Sequence, residues 1–222
     1  MNVDSIYQSL VSDFEFRQCL TVGECSEYNR MLVSHYRALG FLTGDPNQDL
    51  KFLPRASSLR YGLFEGSELV GIAALNRLDR TSPTWRIIDC NFSDPNSFLE
   101  LNNVVLAQTS RGVHTLPYLL FKVISEAVAY NAKYVCGVVR YEVLKHFLDV
   151  GAMPLVHEPL RVLGHKSYDD FVIYFDCSSL SSCDFLKKHV VEEVVRKHIF
   201  LDMRRKRLEQ KRSETVSLGG TA

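Results

Sequence analysis

ELNNVVLAQTSRGVHTLPYLL, Glu100 to Leu120, is the stretch whose reading decides the fold. Leu101, Val104, Val105 and Leu106 supply the apolar content of a strand over Leu99 to Leu106. Gln108 to His114 is polar and contains Gly112. Then Leu119, Leu120, Val123, Ile124, Ala127 and Val128 recur on one face of a helix. A strand thus enters a glycine-containing loop that runs directly into a helix. Loop amides there point at the positive end of the helix dipole, where phosphate oxygens are stabilised. Arg111 and Gly112 stand where added positive charge and close backbone approach help. By spacing alone a purely structural junction remains open, because many strand–loop–helix turns bind nothing.

Downstream, Lys133 to Val139 (KYVCGVV) is the nearly all-apolar run expected of a strand buried on both faces. Val143, Leu144, Phe147 and Leu148 mark a helix closed by Gly151, and Phe171 to Phe175 (FVIYF) is a last strong strand. Upstream, Asp13 to Val22 reads as a first strand. Tyr28, Met31, Leu32, His35, Tyr36 and Leu39 then form a helical stripe that stops at Gly40. Thr43 to Asp49 reads as loop. Ser58 to Phe64 and Glu68 to Leu78, joined by Glu65-Gly66-Ser67, predict a β-hairpin. Thr81 to Pro95 is expected to hold a short strand inside a long excursion. Strands alternating with helices argue an α/β fold with parallel pairing in the middle of the sheet.

Asp184 to Lys211 reads as one long helix ending in the basic run RRKRLEQKR, and the last residues as a disordered tail. This gives a domain over 1–180, a basic amphipathic helix over 181–212 and a tail over 213–222. The basic end is either a solvated helix end, a docking surface for an acidic partner, or a membrane-surface contact.

The apolar fraction of 46% and charged fraction of 23% across 222 residues are those of an ordinary globular protein. A formal net charge of zero provides no global case for nucleic acid or an anionic membrane. The N-terminus lacks the apolar core of a signal peptide, and no stretch approaches the roughly 20 apolar residues that span a bilayer. Cys19, Cys25, Cys90, Cys136, Cys177 and Cys183 form no CxxC pair. They read as reduced thiols of a cytoplasmic protein without metal spacing, Cys136 as a small core residue.

SRGVHTLPYLL resembles the acyl-CoA loop of GNAT acyltransferases, Q/R-x-x-G-x-G/A, with Gln108, Arg111 and Gly112 near its positions. His114 and Leu116 stand where small residues usually let the loop wrap a pyrophosphate. Glu100-Leu101-Asn102-Asn103-Val104 is similar to the E-x-S-R-hydrophobic strand of acyl-homoserine-lactone synthases and the related long-chain N-acyl amino acid synthases, with asparagines replacing Ser and Arg. Residues 14–41 resemble their first strand and helix, ELVGIAALNRL their VGxxRL strand, and PTWRIIDCNF their excursion.

The resemblance implies a GNAT-like mixed twisted sheet with helices on both faces, followed by the basic C-terminal helix. It implies an N-acyltransferase that moves an acyl group, a fatty acyl group above all, from a carrier thioester to an amine such as an amino acid. The co-substrate is acyl carrier protein through its phosphopantetheine arm, or acyl-CoA, with no permanently bound cofactor. Acyl carrier protein is the natural acidic partner for the basic helix. The substitutions in the loop favour the carrier arm over coenzyme A.

Glu100, opening the central strand beside the acceptor pocket, is the candidate base for the amine; a surface or capping role is the alternative. The backbone N–H of Leu106, with Val105 or Ala107 one register away, is the candidate donor to the thioester oxygen at a strand bulge. Leu106, Gln108, Ser110, Arg111, Gly112, Val113, His114 and Thr115 are the candidate donor-binding residues. Phe147 takes the place of a tyrosine that often protonates the leaving thiolate, and Tyr141 is a poor substitute. His114 is expected to cap or pack, His157 and His165 lack metal spacing, and Trp85 reads as core or pocket wall. An acetyl-CoA-dependent N-acetyltransferase and a binding module that kept the fold without the chemistry are the competing functions.

Overall fold

A computed structural model describes residues 3–42, 44–45, 49, 53–82, 84–107, 115–155 and 170–180, together with 191, 192, 196 and 203. The chain opens with a helix, α1 (Val3–Val11), for which the sequence reading made no provision. Strand β1 (Phe14–Gln18) follows, then α2 (Val22–Ala38). The helix starts where it does because Thr21 and Glu24 form a capping box. The Thr21 hydroxyl accepts from the Glu24 N–H, and the Glu24 carboxylate accepts from the Thr21 N–H at 3.0 Å.

The hairpin is β2 (Leu59–Glu65) and β3 (Glu68–Arg77). Gly66, at φ 61, stands first in its two-residue loop, the position that a type II′ turn requires to be left-handed. Then come α3 (Trp85–Asn91), β4 (Phe98–Leu106), α4 (Thr115–Ala129), β5 (Tyr134–Arg140) and α5 (Tyr141–Asp149). A two-residue edge strand β6 (Met153–Pro154), β7 (Asp170–Asp176) and a short α6 (Cys177–Leu180) follow. The expected C-terminal helix and tail lie outside the described residues, apart from four isolated positions. One of these, Val191, is buried in the main core.

The seven strands form one sheet in the order β1-β2-β3-β4-β5-β7-β6. Every pairing is antiparallel except β4 with β5, which is parallel as the alternation of strand and helix predicted. The pleat sends alternate side chains of β4 to opposite faces. Leu99 and Leu101 join the main core with Leu119, Leu120, Val123 and Ile124 of α4, whereas Phe98 joins Ile88 of α3 on the other face. Further along that second face Tyr28 and Leu32 of α2 pack on Ile72, Ala74 and Val105. Each of the fully buried Leu and Ile side chains contributes about 1.5–3 kcal/mol by leaving water.

The short strand expected between Thr81 and Pro95 is a helix instead. Trp85, Ile87 and Ile88 suit a strand by type, but β3 and β4 already pair with each other and leave no free edge between them. The Thr84 carbonyl accepts from the N–H groups of both Ile87 and Ile88 at 3.1 Å and starts a helical turn. Trp85 and Ile88, three apart, then face the same apolar cluster.

Candidate functional site

Pairing between β4 and β5 is confined to three positions, Phe98↔Tyr134, Leu99↔Val135 and Glu100↔Cys136. Beyond them β4 stays with β3 as far as Leu106↔Gly71, while β5 stays with β7 as far as Arg140↔Asp170. The sheet therefore forks, and Glu100 stands at the root of the fork. Gly137 permits the last close approach: a Cβ there would lie 3.0 Å from the Leu101 carbonyl oxygen.

Glu100 is 1% exposed, so the surface alternative is excluded. A buried carboxylate needs hydrogen-bond partners, and both oxygens have them. Oε1 accepts from the Thr84 hydroxyl at 2.8 Å, and Oε2 accepts from Asn102 Nδ2 at 3.2 Å. Arg55 Nη2 stands 4.0 Å from Oε2, close enough for charge attraction and too far for a hydrogen bond. The Arg55 guanidinium donates instead to Asp79 at 3.1 Å and to Ser82 Oγ at 3.4 Å. Two hydrogen bonds from Thr81, with the Arg55 charge beside them, hold the Asp79 carboxyl below its ordinary range. Opposite Glu100 in the ladder is buried Asn76, whose Oδ1 accepts from the Ser58 hydroxyl. Cys136 completes the group, its sulfur 3.8 Å from Thr84 Oγ1. Burial, and then the Glu100 charge, push its thiol up to about 12, so it is neutral and no nucleophile at pH 7.

The β3–β4 register passes from Ala74↔Asn102 to Ile72↔Val105, so Asn103 and Val104 both stand opposite Ala73. This is a β-bulge, with Asn103 at φ 60 supplying the left-handed residue. The extra residue returns Val104 and Leu106 to the face of Leu101 and the main core. The Ala107 N–H donates to the Val70 carbonyl at 2.9 Å. Hydrogen-bonded and non-bonded pairs alternate in an antiparallel ladder, so the Leu106 N–H turns away from β3 toward the fork. The bulge itself comes two residues before Leu106. At about 3.3 Å per residue Leu106 lies roughly 20 Å along β4 from Glu100, and Val104 roughly 13 Å.

Of the other candidates, Thr115 is described and is 1% exposed at the start of α4. Gln108, Ser110, Arg111, Gly112, Val113 and His114 lie outside the described residues, as do His157 and His165. Leu116 packs against the main core. Phe147, in the place of the thiolate-protonating tyrosine, is a buried core residue, and Tyr141 is 68% exposed against Phe171. Trp85 packs on the Ile88–Phe98 cluster, within the reading of it as core or pocket wall. Thr84, Asn102, Arg55 and the Asn103 bulge were not read from the sequence as parts of a site. The Asn-Asn pair at 102–103 was the available signal, since asparagine both hydrogen-bonds a carboxylate and tolerates positive φ. Nothing local marked Thr84 or Arg55, which meet Glu100 only through the fold. Among the described residues no group of three or more His, Cys, Asp or Glu could hold a metal ion, and no helix is long and apolar enough to cross a membrane.

No family model matches the sequence, and no curated protein matches it. Solved structures do resemble the fold. FeeM, an N-acyl amino acid synthase from uncultured soil microbes, aligns with a TM-score of 0.59 at 15% identity, over 76% of this chain and 93% of FeeM. A spermidine N-acetyltransferase SpeG chimera from Vibrio cholerae and hSSAT aligns with 0.52 at 13%, over 77% and 99%. Escherichia coli ElaA aligns with 0.51 at 14%, over 73% and 99%. The chain has the GNAT fold: a mixed sheet, helices on both faces, and a central fork.

Proposed function

We propose that the protein is an N-acyltransferase that moves an acyl group from a carrier thioester to an amine at the β4–β5 fork. The observation that carries this reading is the buried, hydrogen-bonded Glu100 carboxylate at the root of the fork where β4 parts from β5. The pantetheine arm of the donor enters the fork beside β4. The Leu106 N–H, or that of Val104 at the bulge nearer Glu100, donates to the thioester oxygen and stabilises the charge that builds there. The amine nitrogen attacks the carbonyl carbon, the C–N bond forms, and Glu100 takes the amine proton through a relay of water molecules and returns it to solvent. The C–S bond then breaks, and the thiolate takes its proton from water. Thiolates leave readily, so a phenylalanine at position 147 does not stop the reaction.

The fold likeness to FeeM, an N-acyl amino acid synthase, supports an amino-acid acceptor, and the resemblance of Glu100 to Val104 to the strand motif of long-chain N-acyl amino acid synthases supports a fatty acyl donor. His114 and Leu116, in place of small loop residues, support acyl carrier protein over coenzyme A as the donor, with the basic C-terminal segment as its docking surface. Gln108, Ser110, Arg111, Gly112, Val113, His114 and Thr115 are the residues proposed to receive the donor's phosphate.

The test is acyl transfer from acyl carrier protein and acyl-CoA thioesters to a panel of amines, followed by thiol release and by mass spectrometry of the product. Glu100→Gln is expected to lower turnover at neutral pH by about 100-fold or more with donor binding unchanged. Equal turnover in the variant removes Glu100 from the mechanism. Absence of an acylated product from every donor and amine overturns the reading in favour of a binding module.

A further inference from the structure

Strand β1 (Phe14–Gln18) stands first in the sheet order, and among the described residues no strand pairs with its outer side. The opposite edge is guarded: β6 is two residues long, and one of them is Pro154, which has no N–H to offer. β1 has five residues, with neither a proline nor a bulge. The Cys19 N–H donates to the Arg60 carbonyl at 2.9 Å, so Cys19, Arg17 and Glu15 turn their backbone groups toward β2. Phe16 and Gln18 alternate with them and turn theirs outward. The outward-facing stretch ends at Leu20, whose N–H donates to the Glu24 carboxylate at 3.1 Å. The side chains of Glu15 and Arg17 stand on one face of the strand, on either side of Phe16. They bridge to each other at 3.0 Å yet remain 59% and 42% exposed. Glu24 at 3.2 Å and the Phe64 ring at 4.1 Å hold the Arg17 guanidinium in place. Leu20 and Val22, 75% and 86% exposed, flank the end of the strand and are the most exposed large apolar side chains among the described residues.

We propose that β1 is a self-association edge, where it pairs antiparallel with β1 of a second copy of the chain about a two-fold axis at Phe16. An unguarded edge alone accepts any strand; the charges select partner, direction and register. With the axis at Phe16, Glu15 stands opposite Arg17 of the second copy, and Arg17 opposite its Glu15, as a two-fold interface requires. Phe16 of each copy exchanges both backbone bonds with Phe16 of the other, and Gln18 stands opposite Phe14. Positions 15 and 17 then form the non-hydrogen-bonded pairs, in which Cα atoms are about 4.5 Å apart and side chains are closest. Four charges alternate in sign around the axis, a network in place of an isolated surface pair. Moving the axis by one residue sets Glu15 against Glu15 or Arg17 against Arg17, and parallel in-register pairing sets like charges side by side. The two sheets become one continuous sheet across the seam. The seam is short, so the dimer is weak and concentration-dependent.

Sedimentation velocity of the full chain from about 1 μM to 1 mM tests this, with hydrogen exchange at both ends of the range. The wild type is expected to pass from monomer to dimer, and the Phe16 and Gln18 amides to gain protection in the dimer. Glu15→Lys and Arg17→Glu each place like charges opposite one another, and each alone should raise the dissociation constant about 10-fold or more. Mixed in equal amounts, the two variants again bring opposite charges together at both positions, and a heterodimer should form in the wild-type concentration range. Gln18→Pro removes an outward N–H that the β2 ladder does not use. It should weaken the dimer with no change of charge and with the wild-type circular dichroism, and it decides the matter if a charge variant does not fold. A wild type that stays monomeric throughout overturns the proposal. So does a dimer without added protection at Phe16 and Gln18, a dimer that Gln18→Pro leaves intact, or a mixture of the folded charge variants that stays monomeric.

Discussion

At the scale of single residues, the second face of the sheet contains two opposite solutions to burying a polar atom. Glu100 is buried and fully partnered, by Thr84, Asn102 and the charge of Arg55. Tyr28, on α2 and 0% exposed, has no hydrogen-bond partner for its hydroxyl among the described residues. Burial holds that phenol well above its ordinary range, so it stays neutral, and the hydroxyl loses water without compensation. Tyr28→Phe removes the penalty and keeps the ring packed on Leu32, Ile72 and Val105. It is expected to raise stability by about 1 kcal/mol, or a few °C in Tm for a chain of this size. Urea unfolding checks this, and a loss of stability would mean that the hydroxyl has a partner.

At the scale of elements, most strands and helices were legible because each has an unambiguous period. KYVCGVV has no polar side to present, and it is β5, buried between β4 and β7. The α2 stripe and the Gly66 hairpin also came through as read. What failed was context. Residues 85–91 contain β-formers, and only the closed β3–β4 ladder makes them α3. The two-residue β6 exists because Leu155 and its neighbours lie along β7, a tertiary contact without a local period. For the candidate site, Glu100 and its neighbour Asn102 stand in one strand motif, while Thr84 and Arg55 are separated from Glu100 by 16 and 45 positions and are invisible to any window. The bulge is the element-level feature that links the two. At φ 60, Asn103 occupies backbone space that costs an ordinary side chain about 1–2 kcal/mol and a β-branched one more. Asn103→Gly should therefore unfold within about 1 kcal/mol of the wild type, and Asn103→Val should be destabilised by at least about 2 kcal/mol and lose turnover as the β4 amides shift. Equal behaviour of the two variants would show that the bulge is held by its surroundings and not by this residue.

At the scale of the whole molecule, the sheet is two antiparallel halves, β1 to β4 and β5 to β7, joined by one short parallel seam. Parallel pairing is slightly weaker per residue than antiparallel, and here it covers three positions against seven between β5 and β7. The fork that serves as the candidate site thus lies along the weakest line of the sheet, stabilised mainly by α4 packing across it into the common core. Gly137 sits where the seam ends, and a Cβ there meets a backbone atom, the Leu101 carbonyl oxygen at 3.0 Å, which cannot rotate away. Gly71 is the natural control, because a Cβ there meets the Leu106 Cδ2 methyl at the same 3.0 Å, the end of a flexible side chain. Gly137→Ala should cost about 1–3 kcal/mol, lowering Tm by about 2–4 °C per kcal/mol, and Gly71→Ala markedly less. Because the strain is applied at the fork, Gly137→Ala should also raise hydrogen exchange at the seam residues Leu99 to Leu101 and Val135 to Gly137 before it affects the β2–β3 ladder. Uniform loss of protection through both halves would show that the seam does not open on its own, and that the fork is as rigid as the ladders on either side of it.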